Sequence, residues 1–250
     1  MIKRIIFTLS LSALLIAMLL CMASCFSDDT QASSSSSTQN STNEDKENPI
    51  VGVEGLEYQL SKDGTTYAVS MGKFNAKELT LPTTYQGKPV KYVLWSGFYN
   101  STVEKVIVPD GYLEIYSRAF TGCTSLKSVE LPSTLLGIEA DTFNGCSALT
   151  KITIPSSVAY IYNNAFLNCS SLKEIVIPKS VTEITAKAFV GCAKLEKVYY
   201  GGTAEEFEQI SCAADAWGDS PSHTVYYYSE TEPETEGSFW HYVNDVPTAW

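Results

Sequence analysis

Hydrophobic residues recur with a period of 23 along the middle of the chain. From residue 103, four consecutive segments align without a gap: VEKVIVPDGYLEIYSRAFTGCTS, LKSVELPSTLLGIEADTFNGCSA, LTKITIPSSVAYIYNNAFLNCSS and LKEIVIPKSVTEITAKAFVGCAK. An irregular copy begins near Ala76 and a truncated copy begins at Leu195. Self-similarity at about 20 to 29 residues is typical of a solenoid, whose single units cannot bury their apolar faces alone. We therefore predict a β-rich solenoid of about five to six units over residues 76–200.

Each unit is predicted to contain two short strands. In the third complete unit, Leu149, Ile152 and Ile154 alternate with polar residues, and Pro155 then ends the strand because proline cannot donate to a continuing ladder. A second extended piece follows, and after it an Ala-Phe or Thr-Phe pair and a cysteine. We expect the aromatic and thiol positions to form the structural core; they are Phe120, Phe143, Phe166, Phe189, Cys123, Cys146, Cys169 and Cys192.

The repeating cysteines occupy one structural position. Their spacing of 23 residues fits no compact metal motif, and we expect no metal site. Adjacent turns of a parallel stack lie about 4.7 to 4.9 Å apart, so the thiols are expected to form a buried row of small apolar groups. The same distance also permits a disulfide between neighbours, although the Cβ direction disfavours it. Cys212 has no partner in the repeat.

The stack requires caps at both ends. Leu56–Ser70 alternates apolar and polar residues around Asp63-Gly64, which predicts a β-hairpin within an N-terminal cap at 50–75. Thr203–Glu206 matches a capping box that opens a short helix, and Thr224–Tyr228 is predicted as a strand, so 201–228 forms the C-terminal cap.

Residues 229–250 form an acidic linker followed by an aromatic tail. Phe239–Trp250 carries four aromatic residues. Two arrangements are open: the tail pairs back on Val225–Tyr228 as a hairpin, which we favour, or it hangs free as a contact peptide.

The N-terminus carries the pattern of an export signal. Lys3 and Arg4 precede an apolar stretch that ends in Met22-Ala23-Ser24-Cys25, which is similar to a bacterial lipobox. We predict a signal peptide at 1–24, lipidation of Cys25, and a disordered serine-rich tether over 25–49. Ordinary secretory cleavage and an uncleaved anchor helix are the alternatives. All three place the body outside the cytoplasm, and lipidation gives the membrane as one partner.

The unit L-x-x-[VI]-x-[IL]-P-x-x-[VL]-x-x-I-x-x-x-[AT]-F-x-x-C resembles the BspA-like leucine-rich repeat of bacterial surface proteins over about residues 76–200. The resemblance implies a curved, right-handed leucine-rich repeat solenoid on the cell surface. Binding to host or matrix proteins is reported for some members, and no catalytic residues come with the family. The first copy departs from the pattern: Phe98 is present, Thr102 or a neighbour replaces the cysteine, and Gln86–Pro89 enlarges the turn.

Charge and composition exclude several functions. The chain has 17 Lys and Arg against 28 Asp and Glu, a formal charge of −11, which argues against nucleic acid as a partner. Its two histidines provide little material for acid/base chemistry. Glu205, Glu206 and Glu208 are paired carboxylates without a nucleophile or phosphate loop. We therefore predict no enzyme activity, no catalytic residues and no cofactor.

Outward-pointing aromatic residues of the second extended piece are the candidate ligand-binding residues. Exposed aromatics on a rigid surface supply contact area at low entropic cost. The set is interrupted by Gly137 and Glu139, and its members are Tyr92, Trp95, Tyr116, Tyr160 and Tyr162. They predict recognition of an extracellular or host protein or glycan, as in an adhesin. Two alternatives remain: the aromatics merely shield strand edges, and the protein is an envelope spacer without a specific ligand.

Overall fold

The structure is a computed structural model that describes residues 50–218 and 223–250. The signal peptide, Cys25 and the tether predicted over 25–49 lie outside the described residues. Within the described part of the chain, no helix is long and apolar enough to cross a membrane. One short helix is described there, α1 at Ala204–Glu208.

Short strands make up almost all of the regular structure. In chain order they are β1 (Glu57–Leu60), β2 (Tyr67–Ser70), β3 (Glu78–Thr80), β4 (Thr84–Tyr85), β5 (Lys88–Val93), β6 (Lys105–Ile107), β7 (Glu114–Ile115), β8 (Ser128–Glu130), β9 (Gly137–Ile138), β10 (Lys151–Thr153), β11 (Tyr160–Ile161), β12 (Glu174–Ile177), β13 (Glu183–Ile184), β14 (Lys197–Tyr200), β15 (Ser211–Cys212), β16 (Thr224–Tyr228), β17 (Phe239–Val243) and β18 (Val246–Ala249).

The strands stack turn upon turn into a β-solenoid, as the 23-residue period predicted. The first strand of each unit pairs in parallel with its equivalent one turn away, so Ile152 is in register with Ile175 and Ile175 with Val198. The second strands do the same, with Ile138, Ile161 and Ile184 in register. These in-register side chains are buried. A unit therefore completes its core only through its neighbours.

A third side of each turn is irregular but equally well connected. The backbone N–H of Phe143 donates to the carbonyl of Ala165 in the next turn, and the N–H of Phe166 donates to Ala188. The phenylalanine rings stack at centroid distances of 5.3 to 5.7 Å along the column from Phe98 to Phe189. Trp217 continues the column, with its ring 4.4 Å from that of Phe189.

Both sheets are divided near the middle of the stack. In the first sheet, β3, β6 and β8 form one group, and β10, β12, β14, β16, β17 and β18 form another. In the second, β7 pairs with β5, whereas β9 pairs with β11. We call the divide between β7 and β9 the seam. The phenylalanine column is continuous past it, since Phe120 and Phe143 stack at 5.7 Å.

The N-terminal end contains two hairpins. β1 and β2 are antiparallel, with Glu57 opposite Ser70, and β2 then pairs in parallel with β5. The enlarged turn of the first copy is itself a hairpin, because β4 and β5 are antiparallel across Gln86 and Gly87, both with positive φ. That geometry suits glycine at the second position.

The C-terminal end continues the stack. The turn that begins at Leu195 was expected to be truncated, but α1, β15 and the Ala216-Trp217 pair complete it. The capping box is present: the Glu206 N–H donates to Thr203 Oγ1, and the Thr203 N–H donates to the Glu206 carboxylate.

The tail docks, but not in the predicted orientation. β17 pairs with β16 in parallel, with Tyr228 beside Trp240, and the hairpin is formed instead by β17 and β18 around Asn244-Asp245. A direct hairpin onto Val225–Tyr228 is therefore wrong. Residues 229–238 lead the chain back, so that β17 runs in the same direction as β16. Its buried indole then packs on Tyr199 and donates to the carbonyl of Tyr200 at 2.7 Å.

Candidate functional site

The outer face of the second sheet presents two columns of side chains. Each second strand has one buried residue, which is Val93 in β5 and an isoleucine in the later turns. The residue before it and the residue after it both point outward, because alternate residues of a strand point to opposite faces. We call these columns, with the residues beside them, the second face. The first column is Tyr92, Glu114, Gly137, Tyr160 and Glu183, and the second is Leu94, Tyr116, Glu139, Tyr162 and Thr185.

The predicted aromatic residues lie on this face as two stacked pairs. The rings of Tyr92 and Tyr116 are 5.8 Å apart and nearly parallel, and those of Tyr160 and Tyr162 have the same spacing. One pair lies on each side of the seam. Tyr160 is exposed, whereas Tyr92, Tyr116 and Tyr162 are half-buried. The four rings are therefore partly packed on one another and partly open to solvent.

Trp95 is the most exposed of the five predicted residues. It retains 60% of its accessible surface. The guanidinium of Arg118 lies 5.7 Å from the ring centroid and also pairs with Asp141 at 3.7 Å. Arg118 thereby holds the indole on the surface without covering it.

Two half-buried glutamates lie between the tyrosine pairs. Burial, reinforced by the negative charge of Glu139, raises the pKa of Glu114 to about 7. Burial also raises the pKa of Glu139, and a hydrogen bond from Ser117 partly opposes that shift. Among residues 50–218 and 223–250, neither carboxylate forms an ion pair. Sequence reasoning treated Glu139 as an interruption of the aromatic set, but the structure places it at the centre.

Gly137 leaves a notch beside these carboxylates. A Cβ at this position would lie 3.5 Å from the Tyr162 ring and 3.7 Å from the Glu139 carboxylate. Leu136, immediately before it, retains 70% of its surface, and Leu113, at the equivalent position one turn earlier, retains 48%. The seam region thus combines exposed apolar side chains with two partly desolvated acids.

The predicted core residues lie inside the stack, away from this face. All four repeat cysteines and the four repeat phenylalanines are buried, and the cysteines are free thiols. Each cysteine Sγ donates to the carbonyl of a phenylalanine one turn earlier, at 3.0 to 3.2 Å. In the first copy the equivalent buried residue is Ser101, whereas Thr102 is exposed. The Ser101 hydroxyl accepts a hydrogen bond from the N–H of Val103.

A separate cleft of about 610 Å³ lies on the outer face of the first sheet. Residues of β8, β10 and β12 line it on one side, and the turn Asp245–Pro247 of the tail hairpin lines it on the other. Glu130 and Glu174 in its wall pair with Lys105 and Lys197, so these acids are already neutralised by the stack.

One glutamate of α1 has a structural role. The Glu206 carboxylate accepts a hydrogen bond from the Thr203 N–H and so caps the helix. In the described residues, no group of three or more His, Cys, Asp or Glu could hold a metal ion.

Comparison with known proteins decides the family. The model of the BspA type leucine-rich repeat region matches six copies across residues 95–213. The crystal structure of a leucine-rich repeat protein from T. pallidum is 32% identical, with a TM-score of 0.57 over 59% of this chain and 70% of that one. This chain belongs to the BspA-type leucine-rich repeat family.

This chain spans less than half the length of two other matched structures. A leucine-rich cell surface protein from Faecalibacterium prausnitzii is 27% identical, with a TM-score of 0.56, and the match covers 64% of this chain but 41% of that one. The pneumococcal vaccine antigen PcpA shares the fold at 20% identity and a TM-score of 0.53, over 68% of this chain and 41% of PcpA. The comparison with curated proteins gave no significant match.

Proposed function

We propose that this leucine-rich repeat protein is a surface-anchored, non-enzymatic binding protein that recognises an extracellular or host protein or glycan through the second face. The observation that carries the proposal is the presence of two tyrosine stacks and the exposed Trp95 on one face of the solenoid. Aromatic side chains supply most of the energy at the centres of interfaces. A solenoid fixes their positions before binding, which reduces the entropy lost on association.

The packing of the stack supports this rigidity. Stacked phenylalanines and the hydrogen bonds of the loop side join the turns throughout, including across the seam, and parallel strand pairing joins them on either side of it. The backbone beneath Tyr160 and Tyr162 is therefore held by both neighbouring turns. A rigid, open face suits recognition of a large partner better than enclosure of a small substrate.

The chemistry of the face supports a non-enzymatic role. Glu114 and Glu139 are not accompanied by a histidine, cysteine or lysine placed as a catalytic partner in the described contacts. The related proteins are named as leucine-rich repeat proteins, with no catalytic function in those names. A hydrolase screen of the full chain tests this point, and turnover lost on Glu114→Gln would contradict it.

A location on the cell surface agrees with the name of the F. prausnitzii relative, and we propose lipidation of Cys25 as the anchor. The test is incorporation of labelled palmitate into the native chain and into a Cys25→Ala variant. Loss of label in the variant supports the anchor. Equal label in both chains removes it.

The binding role is tested by retention on immobilised matrix and mucin components at physiological salt. The full-length chain is compared with a Trp95→Ala/Tyr160→Ala variant and with a Tyr99→Ala control, which removes an aromatic residue of similar exposure. We expect retention of the native and control chains and loss in the double variant. Protease or glycosidase treatment of the component then separates protein from glycan. An envelope spacer would show no retention in any of the three chains.

A further inference from the structure

The seam region carries two half-buried carboxylates, Glu114 and Glu139, between the tyrosine pairs. Glu114 and Glu139 lie on adjacent turns, and the charge of Glu139 is close enough to raise the pKa of both Glu114 and Tyr162. In the described residues no cation of the chain pairs with either carboxylate, although Arg118, two residues beyond Tyr116, pairs with Asp141. Elsewhere on the stack, Glu104, Glu130 and Glu174 each have a lysine partner.

The surroundings of the two carboxylates match the side chain of a basic residue. A tyrosine pair stands on each side, and aromatic faces attract ammonium and guanidinium groups. The exposed Leu113 and Leu136 beside them offer apolar surface for an aliphatic stem. Because Gly137 has no side chain, none stands between this strand and the Glu139 carboxylate, which would lie 3.7 Å from a Cβ there.

The length of this surface indicates a polypeptide as the partner. The turns from Tyr92 to Tyr160 are separated by three steps of about 4.8 Å, which gives a span of about 14 Å. An extended polypeptide covers that distance with about four residues. The formal charge of −11 on the chain also favours the approach of a basic partner.

We infer that the seam region of the second face docks an extended, basic polypeptide segment, with an arginine or lysine held between the two tyrosine pairs against Glu114 and Glu139. This inference rests on the proposed binding function and names its partner class. It gives the paired acids a role that the aromatic residues alone do not explain. The desolvation of both carboxylates then serves binding, because a partly buried charge attracts a cation more strongly than a solvated one.

The test uses fluorescence anisotropy with the full-length chain at pH 8 and 150 mM NaCl. The probes are fluorescein-labelled (Arg-Gly)6 and (Glu-Gly)6 peptides. The variant Glu114→Gln/Glu139→Gln removes both charges with little change in shape, and Glu196→Gln/Glu208→Gln removes two exposed charges elsewhere as a matched control. Thermal melting verifies that both variants fold.

We expect (Arg-Gly)6 to bind the native chain, to bind the seam variant at least tenfold more weakly, and to bind the control variant within about twofold of native. The (Glu-Gly)6 peptide should not bind. Equal weakening by the two variants would overturn the inference, because it would show attraction to net charge alone.

The same variants separate this inference from the proposed function. If the seam variant binds native levels of peptide while Trp95→Ala/Tyr160→Ala loses its matrix or mucin component, the inference fails and the proposed function stands. If neither variant affects retention of that component, the proposed function fails and the inference fails with it. Loss of both peptide and component in the seam variant supports both.

Discussion

The Sγ of Cys169 donates a hydrogen bond to the carbonyl oxygen of Phe143, 3.1 Å away and one turn earlier in the stack. The same contact recurs at each repeat cysteine. The carbonyl also accepts from the backbone N–H of Cys146 in its own turn, so the thiol supplies a second hydrogen bond that links two turns. A thiol suits this position because it is small, largely apolar and still able to donate.

Removal of that thiol should destabilise the stack. Cys169→Ala leaves a small cavity and removes one of the two hydrogen bonds to the Phe143 carbonyl, so we expect a loss of about 1 to 2 kcal/mol in the free energy of unfolding. Urea denaturation followed by circular dichroism measures it. Cys212→Ala, at an exposed thiol, is the control and should change stability by less than about 0.5 kcal/mol. Equal effects at both positions would contradict the contact.

Glycines at the tight turn should differ in their tolerance of a side chain. Gly145 and Gly191 both have positive φ, at 76° and 75°. A Cβ at Gly145 would meet the backbone of Gly122 at an ordinary 3.6 Å, but one at Gly191 would lie 2.4 Å from Asn168 Oδ1 and 3.2 Å from the Asn168 backbone. We expect Gly145→Ala to cost about 1 kcal/mol and Gly191→Ala clearly more, by urea denaturation. Equal losses would show that backbone strain alone matters.

Trp240 should hold the tail hairpin on the stack. It is buried against Tyr199, and its Nε1 donates to the carbonyl of Tyr200. Trp240→Ala removes both contacts, and we expect rapid proteolysis after residue 228 while the repeats remain resistant. Val243→Ala, at a residue of the same hairpin that retains 42% of its surface, is the control and should be cleaved at the native rate. Faster cleavage within the repeats of Trp240→Ala would contradict a local role.

Glu114 should make stability depend on pH. Its pKa is raised from 4.5 to about 7, mainly by burial, so the folded state binds this proton more tightly than the unfolded state does. The resulting stabilisation is complete below pH 4.5 and is lost as pH rises through about 7. Glutamine does not titrate, so the Glu114→Gln variant keeps its stability as the pH rises. It should melt at the same temperature as the native chain near pH 4 and at a higher temperature than the native chain at pH 8.

The size of that difference is limited by the partial exposure of the carboxyl. After allowance for solvent screening we expect about 1 kcal/mol at pH 8. Calorimetric melting at several pH values measures it, and Glu196→Gln, at an exposed position, is the control. A constant difference between Glu114→Gln and native from pH 4 to pH 8 would show that Glu114 titrates normally.

The repeat geometry was predictable because the same 23-residue pattern occurs four times in succession. The 23-residue period predicts which positions point inward. It also predicts where proline ends each strand and that the cysteines are buried. The completion of the last turn was missed because Trp217 takes the position of the expected phenylalanine and α1 lengthens the approach to it. The preceding Ala216 preserves the Ala-aromatic pair, which was the available signal.

The arrangement of the site was less predictable. The aromatic residues were found by their outward positions, but their stacking in one pair on each side of the seam and the desolvation of Glu114 and Glu139 depend on how neighbouring turns pack. The division of both sheets there has no signal in the repeat pattern. The parallel docking of β17 was missed because it depends on the burial of Trp240 against Tyr199, a contact between distant segments.

The central claim is that each of the four regular turns of one continuous stack buries a thiol against the turn before it. Mapping of N-ethylmaleimide adducts by mass spectrometry on the native full-length chain tests this claim residue by residue. Burial raises the pKa of Cys192 to about 12 and also raises the pKa of Cys169, so neither forms a reactive thiolate at pH 7.5. The account predicts labelling of Cys212 while Cys123, Cys146, Cys169 and Cys192 remain unmodified until urea unfolds the chain, and rapid labelling of any of these four in the native state would contradict it.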